Sequence, residues 1–159
     1  QEGTIQKVDI KDFPSVFIQS DLTEKTFRKN SSNINLLSPF DNSIIHRDRV
    51  KQFFDFDYKI ECYTPKEKRQ FGYFCLPILF GDTFIGRVDC KAHRKEKQLE
   101  IIHLHIENEN IDIEWWGEPF VKLIRQFAIF NGCESLKLTK LSPTKLTVAL
   151  EQLIKNSEK

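Results

Sequence analysis

One predicted β-hairpin decides the fold, residues Gly72–Lys91, with the sequence GYFCLPILFGDTFIGRVDCK. Its first half is a nearly continuous apolar run that ends at Phe80. Gly81 and Asp82 then form a two-residue turn signal, and the chain returns from Thr83 with polar and apolar residues in alternation. The pattern predicts two antiparallel strands that meet at this turn.

The alternation of the returning strand predicts which side chains share a face. Because side chains of a strand point alternately to opposite sides, two sets separate. The predicted buried face holds Phe84, Gly86, Val88 and Cys90, and the predicted open face holds Arg87, Asp89 and Lys91. Pro77 has no N–H to donate, so we expect it at a sheet edge or a β-bulge.

The flanking sequence extends this hairpin into an α+β domain. The patterns predict further strands at Thr4–Ile10, Phe17–Gln19, Tyr58–Tyr63, Leu99–Glu107 and Leu136–Leu141. They predict four helices. The first is capped by Asp21 and extends through Lys29, the second covers Asn42–Phe54, the third covers Glu114–Asn131 with Gly132 as its stop, and the last follows Ser142 and Pro143. We therefore expect a small antiparallel, partly closed sheet with flanking helices.

The stretch between the first predicted helix and the hairpin contains a polar corner. Its residues are Ser38, Pro39, Phe40, Asp41 and Asn42. A proline pushes the preceding serine toward extended backbone, and Asp and Asn bond local backbone in turns and caps. A helix cap at Asp41 is favoured over a catalytic role, because neither a histidine nor nucleophile-elbow glycines accompany Ser38 in sequence.

Charge is distributed unevenly along a chain whose formal net charge is +1. Residues 46–97 contain twelve Lys and Arg against eight Asp and Glu, whereas residues 98–136 contain two against seven. The basic half suits contact with phosphate, although a merely solvated surface accounts for the charge equally well. The candidate DNA-binding residues are Arg47, Arg49, Lys68, Arg69, Arg87, Lys91 and Arg94.

The cysteines and histidines do not form a metal-binding pattern. Cys62, Cys75, Cys90 and Cys133 include no Cys-x-x-Cys pair. His103 and His105 share a predicted strand face, but no third ligand follows at a recognisable spacing. We expect no metal and no cofactor. The sequence shows no signal peptide and no long apolar span, so we expect a cytoplasmic protein without a membrane partner.

Taken together, the corner, the basic pairs and the hairpin resemble the C-terminal part of the YcaQ/AlkZ family of winged-helix DNA glycosylases. The resemblance covers roughly Ile18–Ile106. It rests on Leu37–Asn42, Arg47, Arg49, Phe56–Tyr63, Lys68, Arg69, Gly72, Tyr73, Leu76, Pro77, Gly86, Arg87, Asp89, Lys91 and Arg94.

The resemblance implies a hydrolase that repairs interstrand crosslinks or alkylated bases in double-stranded DNA, which the chain would bind together with upstream domains. It implies that residues 1–35 end a winged-helix-like element and that residues 36–159 form the C-terminal domain. The absence of Met and the start at Gln1 suggest an excised segment. The family's catalytic motif resembles Gln-x-Gln or Gln-x-Asp with an apolar middle residue. Gln19-Ser20-Asp21 has a serine there, so we expect no catalysis from this segment alone.

Two other functional interpretations remain open. The first is a non-catalytic scaffold or interaction module, for which the basic residues only solvate the surface. The second is an N-acetyltransferase-like domain, because Gly81–Asn131 is predicted as two strands, a third strand and an amphipathic helix. That fold needs a glycine-rich loop at the helix start to bind pyrophosphate, and only Gly117 is available.

Overall fold

The computed structural model describes residues 4–11, 13, 15–26, 33–107 and 111–157. Eight strands and three α-helices are assigned within these ranges. The strands are β1 (Ile5–Val8), β2 (Val16–Gln19), β3 (Ile34–Leu36), β4 (Leu76–Phe80), β5 (Thr83–His93), β6 (Gln98–Ile106), β7 (Ser135–Leu138) and β8 (Leu141–Ser142). The helices are α1 (Arg47–Phe54), α2 (Ile113–Phe130) and α3 (Thr147–Asn156).

A mixed sheet of six strands forms the centre of the domain. Its order is β3-β4-β5-β6-β7, and β8 also pairs with β6. The β3, β4, β5 and β6 neighbours are antiparallel, whereas β7 and β8 both run parallel to β6. Gly81 has a φ of 61° at the turn between β4 and β5, a left-handed conformation that favours glycine. The α+β class and the central hairpin are confirmed.

Helices α2 and α3 cover one face of this sheet and form the main core with it. Trp116, Phe120 and Ile124 of α2 are fully buried against sheet residues and Leu150 of α3. The Asp112 side chain accepts a hydrogen bond from the Glu114 amide, which caps the positive end of α2. The predicted helix before Gly132 is confirmed, because apolar residues at helical spacing require an apolar surface such as this sheet face.

The opposite face of the sheet is covered by the irregular segment 37–75, which includes α1. A second hydrophobic cluster there contains Ile44, Val50, Phe56, Tyr58 and Phe84. Phe56 stacks on Phe84 with ring centroids 4.8 Å apart. Both faces of β5 are therefore buried.

A β-bulge changes the predicted faces of β5. Phe84 pairs with Leu79 and Gly86 pairs with Ile78, so Ile85 is an extra residue in β5. An extra residue reverses the alternation of side chains beyond it. Phe84 therefore lies in the second cluster while Val88 lies in the main core, and the predicted common face of these two residues is wrong.

Pro77 lies next to this bulge, as predicted. Its carbonyl oxygen accepts a hydrogen bond from the Leu37 amide, just past the last β3 pair, Leu36 with Ile78. The nitrogen of Pro77 faces the same side as its carbonyl, where strand β3 has already ended. No strand partner there requires the N–H that proline lacks.

Three local predictions upstream of the hairpin are wrong. The helix predicted over Asn42–Phe54 begins only at Arg47, and residues 42–45 form turns. Asp41 therefore does not cap α1; its carboxylate accepts the Ser43 amide within the turn. Tyr58–Tyr63 is not a strand: Tyr58 packs in the second cluster, and within the described ranges the segment pairs with no strand.

The N-terminal part contains a separate two-stranded antiparallel sheet, β1 with β2. Asp21 does not cap a helix: residues 20–22 form one 3-10 turn, and the carboxylate of Asp21 contacts Lys25. The predicted helix end at Lys29 lies outside the described residues. The division into residues 1–35 and 36–159 stays a prediction, and β3 extends across it into the six-stranded sheet.

The C-terminal strand and helix differ in detail from prediction. The strand predicted over Leu136–Leu141 is divided into β7 and β8, and a 3-10 turn over Thr144–Leu146 precedes α3. Within the described ranges, no helix is long and apolar enough to cross a membrane.

Candidate nucleic-acid interface

Four charged or polar side chains are buried among the described residues: Glu61, Arg87, Asp89 and His103. Burial of such groups is costly unless each has hydrogen-bond partners. All four contact, or bond to, the backbone or side chains of one short segment, residues 69–75, which we call the anchored loop. The loop immediately precedes β4.

Glu61 holds the start of the anchored loop. Its carboxylate accepts hydrogen bonds from the amides of Gln70, Phe71 and Gly72 at 2.8, 2.7 and 3.1 Å. Burial alone would raise the pKa of Glu61, but the three amide donors outweigh it, so the pKa lies below its ordinary value. The carboxylate is therefore ionised at neutral pH and fixes three consecutive backbone groups.

Asp89 holds the next two residues of the loop. Its carboxylate accepts the amides of Tyr73 and Phe74 at 2.7 and 3.4 Å. A Cβ atom at Gly72 would lie 2.3 Å from Asp89 Oδ2, so only glycine lets the loop approach this close. Together Glu61 and Asp89 bind every amide from Gln70 to Phe74.

Arg87 lies beneath the loop with only 2% of its surface exposed. Its guanidinium carbon is 4.0 Å from the ring centre of Phe71 and 4.8 Å from that of Phe56. Nε donates to Glu107 at 2.7 Å and Nη2 donates to the Asp57 carbonyl at 2.9 Å. The prediction of an open face for Arg87 and Asp89 is wrong, because segment 37–75 covers that face.

His103 attaches the anchored loop to strand β6 and to β8. Its Nδ1 donates to the Phe71 carbonyl at 2.9 Å, and its Nε2 lies 3.0 Å from the hydroxyl of Ser142. Burial lowers the pKa of His103, which favours the neutral ring, and in that state Nε2 accepts from the Ser142 hydroxyl. Both ring nitrogens are engaged in protein contacts. Among the described residues, no group of three or more His, Cys, Asp or Glu side chains could hold a metal ion.

The predicted corner is a turn held by α1. The Ser38 hydroxyl oxygen accepts the Phe40 amide at 3.2 Å. Arg47 donates to the carbonyls of Pro39 and Ile44 at 2.7 and 2.6 Å, and Arg49 donates to the carbonyl of Asn42. These two predicted DNA-binding residues therefore stabilise the corner.

The remaining candidate basic residues lie at the surface. Arg69 donates through Nε to the Thr64 carbonyl, and its guanidinium carbon is 4.8 Å from the ring centre of Tyr73. Lys68 is exposed beside it. Lys91 is exposed on β5 two residues beyond Asp89, and Arg94 is exposed in the turn that follows. Their role in binding DNA stays a prediction.

Three aromatic side chains near the basic residues are exposed. We call Phe40, Tyr73 and Phe74 the aromatic patch; their exposed fractions are 60, 54 and 37%. Phe40 and Phe74 have ring centres 6.2 Å apart, and Tyr73 precedes Phe74 in sequence. Arg47 bonds to the residue before Phe40, and Arg69 covers part of Tyr73. Phe40 and Tyr73 thus each lie near an arginine.

Sequence reasoning missed the residues that hold this surface in place. Glu61 and Asp89 were assigned to alternating strands and named among the residues that carry the resemblance, without a structural role, and His103 was considered only as a metal candidate. The one available signal was a carboxylate within each run of largely apolar residues, Ile60–Cys62 and Val88–Cys90. Acidic side chains in such runs require backbone donors.

Residues 2–119 match the family model described as DNA glycosylase AlkZ-like, which is well over half of the chain. The chain belongs to this family. The AlkZ-like match includes the corner, the anchored loop and the central hairpin, and it ends within α2. Among solved structures, this chain is similar to the DNA glycosylase AlkZ of Streptomyces sahachiroi, with a TM-score of 0.40 and 10% sequence identity. That similarity covers 86% of this chain and 33% of the Streptomyces chain, so this chain spans about a third of its length.

Proposed function

We propose that this AlkZ-like chain is the DNA-engaging and structural part of a DNA glycosylase for double-stranded DNA that carries crosslinked or alkylated bases. The observation that carries the proposal is the accessible basic pair Lys68 and Arg69, which lies at the start of the anchored loop. Phosphate groups require cations that are held in place but still accessible. Lys68 is exposed, Arg69 is half-buried with its Nε bonded to the Thr64 carbonyl, and the loop beside them is fixed by Glu61 and Asp89.

The proposed DNA-binding set is narrower than the sequence suggested. Arg87 is buried and cannot reach phosphate, and both terminal nitrogens of Arg47 donate to backbone carbonyls. Arg49, Lys68, Arg69, Lys91 and Arg94 remain as phosphate contacts. Of these, Arg49 and Arg69 each also donate through one guanidinium nitrogen to a backbone carbonyl.

A salt titration of the double variant Lys68→Gln with Arg69→Gln tests this proposal. Each lost phosphate contact should lower the slope of log affinity against log salt by about one unit, for duplexes of any sequence. A matched control is Lys122→Gln with Lys155→Gln, which removes the same charge from exposed positions on α2 and α3. Equal slopes for the wild type and the Lys68 and Arg69 variant would contradict the proposal.

We also propose that this chain does not itself cleave a glycosidic bond. Gln19 and Asp21 are exposed, Asp21 contacts Lys25, and Ser20 donates to the Thr4 carbonyl. Both side chains are open to solvent, whereas activation of water needs a positioned acid or base in a shielded site. Incubation of the chain with duplex that contains an alkylated purine should release no base. Release above the buffer rate would refute this part.

A scaffold module is the second candidate function. It is favoured by the structural use of Arg47, Arg49 and Arg87, because these residues stabilise the fold without any DNA. A scaffold predicts no change in DNA affinity for the Lys68 and Arg69 variant. The salt titration therefore separates the two functions.

A further inference from the structure

Strand β3 forms one edge of the six-stranded sheet, because among the described residues it pairs only with β4. The Gly81 amide donates to the Asn33 carbonyl at 2.7 Å, and the Leu37 amide donates to the Pro77 carbonyl at 2.9 Å. In an antiparallel pair, residues that bond to the neighbour alternate with residues whose backbone groups point away from it. The odd-numbered residues from 33 to 37 therefore bond to β4, and the even-numbered residues face the open edge.

Ile34 and Leu36 present four backbone groups at this edge, an amide and a carbonyl each. No hydrogen bond from a described residue reaches any of the four. Proteins commonly protect a free edge with charged side chains or proline. Residues 33–37 have the sequence Asn-Ile-Asn-Leu-Leu and contain neither, whereas β7 at the opposite edge carries Lys137. The β3 edge is therefore able to pair with another strand.

The surface around this edge is accessible on both faces of the sheet. On the side of α2, a groove of about 520 Å³ lies between the edge and the helix, with Ile34 on one wall and Leu123 and Gln126 on the other. On the opposite face, the side chain of Asn35 is exposed. A further strand would lie about 4.8 Å from β3, beside this groove.

The side chains of β3 are complementary to those of a second copy of the same strand. In an antiparallel pair centred on Asn35, Ile34 of each copy lies opposite Leu36 of the other, and the two Asn35 side chains face each other. Ile34 and Leu36 pack partly against the main core, so their contacts would extend the apolar face that α2 covers. The two Asn35 amides can bond to each other, and no like charges meet.

We propose that two copies of this chain associate through β3, so that their sheets join into one across a two-fold axis at Asn35. The four outward backbone groups of each copy then form four hydrogen bonds across the axis, and the same surface is used on both sides. Because β3 has only three residues, the contact is small and the dimer is weak and reversible. The association does not require DNA and is separate from the proposed DNA-engaging function.

Sedimentation equilibrium over a range of protein concentrations measures the association. The mass of the wild-type chain should rise from 18.8 kDa toward twice that value as the concentration increases. Asn35→Asp and Asn35→Lys should each associate about fivefold more weakly, because like charges then lie directly opposite at the axis. An equimolar mixture of the two variants should recover association at least as strong as that of the wild type, since opposite charges then meet.

A matched control and a second measurement make the result specific to this edge. Asn33→Asp introduces the same charge two residues from the axis and should associate as the wild type does. Hydrogen exchange followed by NMR should show that the amides of Ile34 and Leu36 become more protected as the concentration rises. The Asn35 amide, which already bonds to β4, should not change. Melting temperatures confirm that each variant remains folded.

Three outcomes would overturn the proposal. A wild-type chain that keeps the single mass at every soluble concentration shows that no dimer forms. A doubled mass that neither Asn35 variant weakens, or that the mixture fails to recover, places the dimer contact elsewhere. Protection of the Ile34 and Leu36 amides at every concentration, with a single mass, shows that another segment of the same chain occupies the edge. The salt titration of the Lys68 and Arg69 variant is unaffected by these results and tests the proposed function separately.

Discussion

Replacement of Arg87 by alanine should destabilise the fold strongly, because this arginine is a structural residue. The change removes a side chain that is 2% exposed and packed between the rings of Phe71 and Phe56. Removal of a buried side chain of this size costs about 2–5 kcal/mol. Loss of the hydrogen bond to the Asp57 carbonyl adds about 1 kcal/mol. We expect a loss of about 4 kcal/mol in the free energy of unfolding.

Replacement of Arg87 by methionine should cost less, about 2 kcal/mol, since methionine fills most of the same space and needs no hydrogen bonds. One nitrogen of the guanidinium, Nη1, is buried without a hydrogen-bond partner among the described residues. Methionine removes that unpaired donor, which offsets part of the lost ion pair with Glu107.

Urea unfolding at neutral pH, followed by tryptophan fluorescence and circular dichroism, measures both changes. Lys91→Ala is the matched control, because Lys91 lies on the same strand but is exposed, and it should shift stability by less than about 0.5 kcal/mol. An Arg87→Ala variant as stable as the wild type, with a reduced salt slope for DNA binding, would refute the argument. Arg87 would then be the phosphate contact that the sequence suggested.

Two other substitutions test the contacts that shape the surface. Asp41→Ala should lower the melting temperature through loss of the bond to the Ser43 amide, whereas an unchanged temperature with lost DNA binding would make Asp41 a contact residue. Glu61→Gln should cost about 1–3 kcal/mol at pH 7, because a neutral amide accepts the three loop amides less well. Since folding lowers the pKa of Glu61 below its ordinary value of 4.5, the stability from this carboxylate is present above that pH and is lost as the pH falls toward the folded pKa. The stability difference between wild type and Glu61→Gln should therefore be smaller at pH 3 than at pH 7, and an equal difference at both would contradict the ionised role.

The amino-acid sequence alone determined the elements whose signals are local. The turn at Gly81, the apolar strand before it and the amphipathic pattern of α2 each depend on neighbouring residues only, and all three are present in the structure. The motifs from the corner to Arg94 were also enough to indicate the family. These features need no knowledge of what packs against them.

Tertiary structure alone decided which face of the hairpin meets solvent. Periodicity assigns side chains to two faces, but it does not say whether a distant segment covers either of them. Here segment 37–75 covers the face of Arg87 and Asp89. The bulge at Ile85 also places Phe84 on that face, whereas the alternation of the sequence puts Phe84 with Val88. A basic residue assigned to phosphate is therefore a core residue, because the burial of Arg87 depends on contacts with Asp57, Phe71 and Glu107 that are distant in sequence.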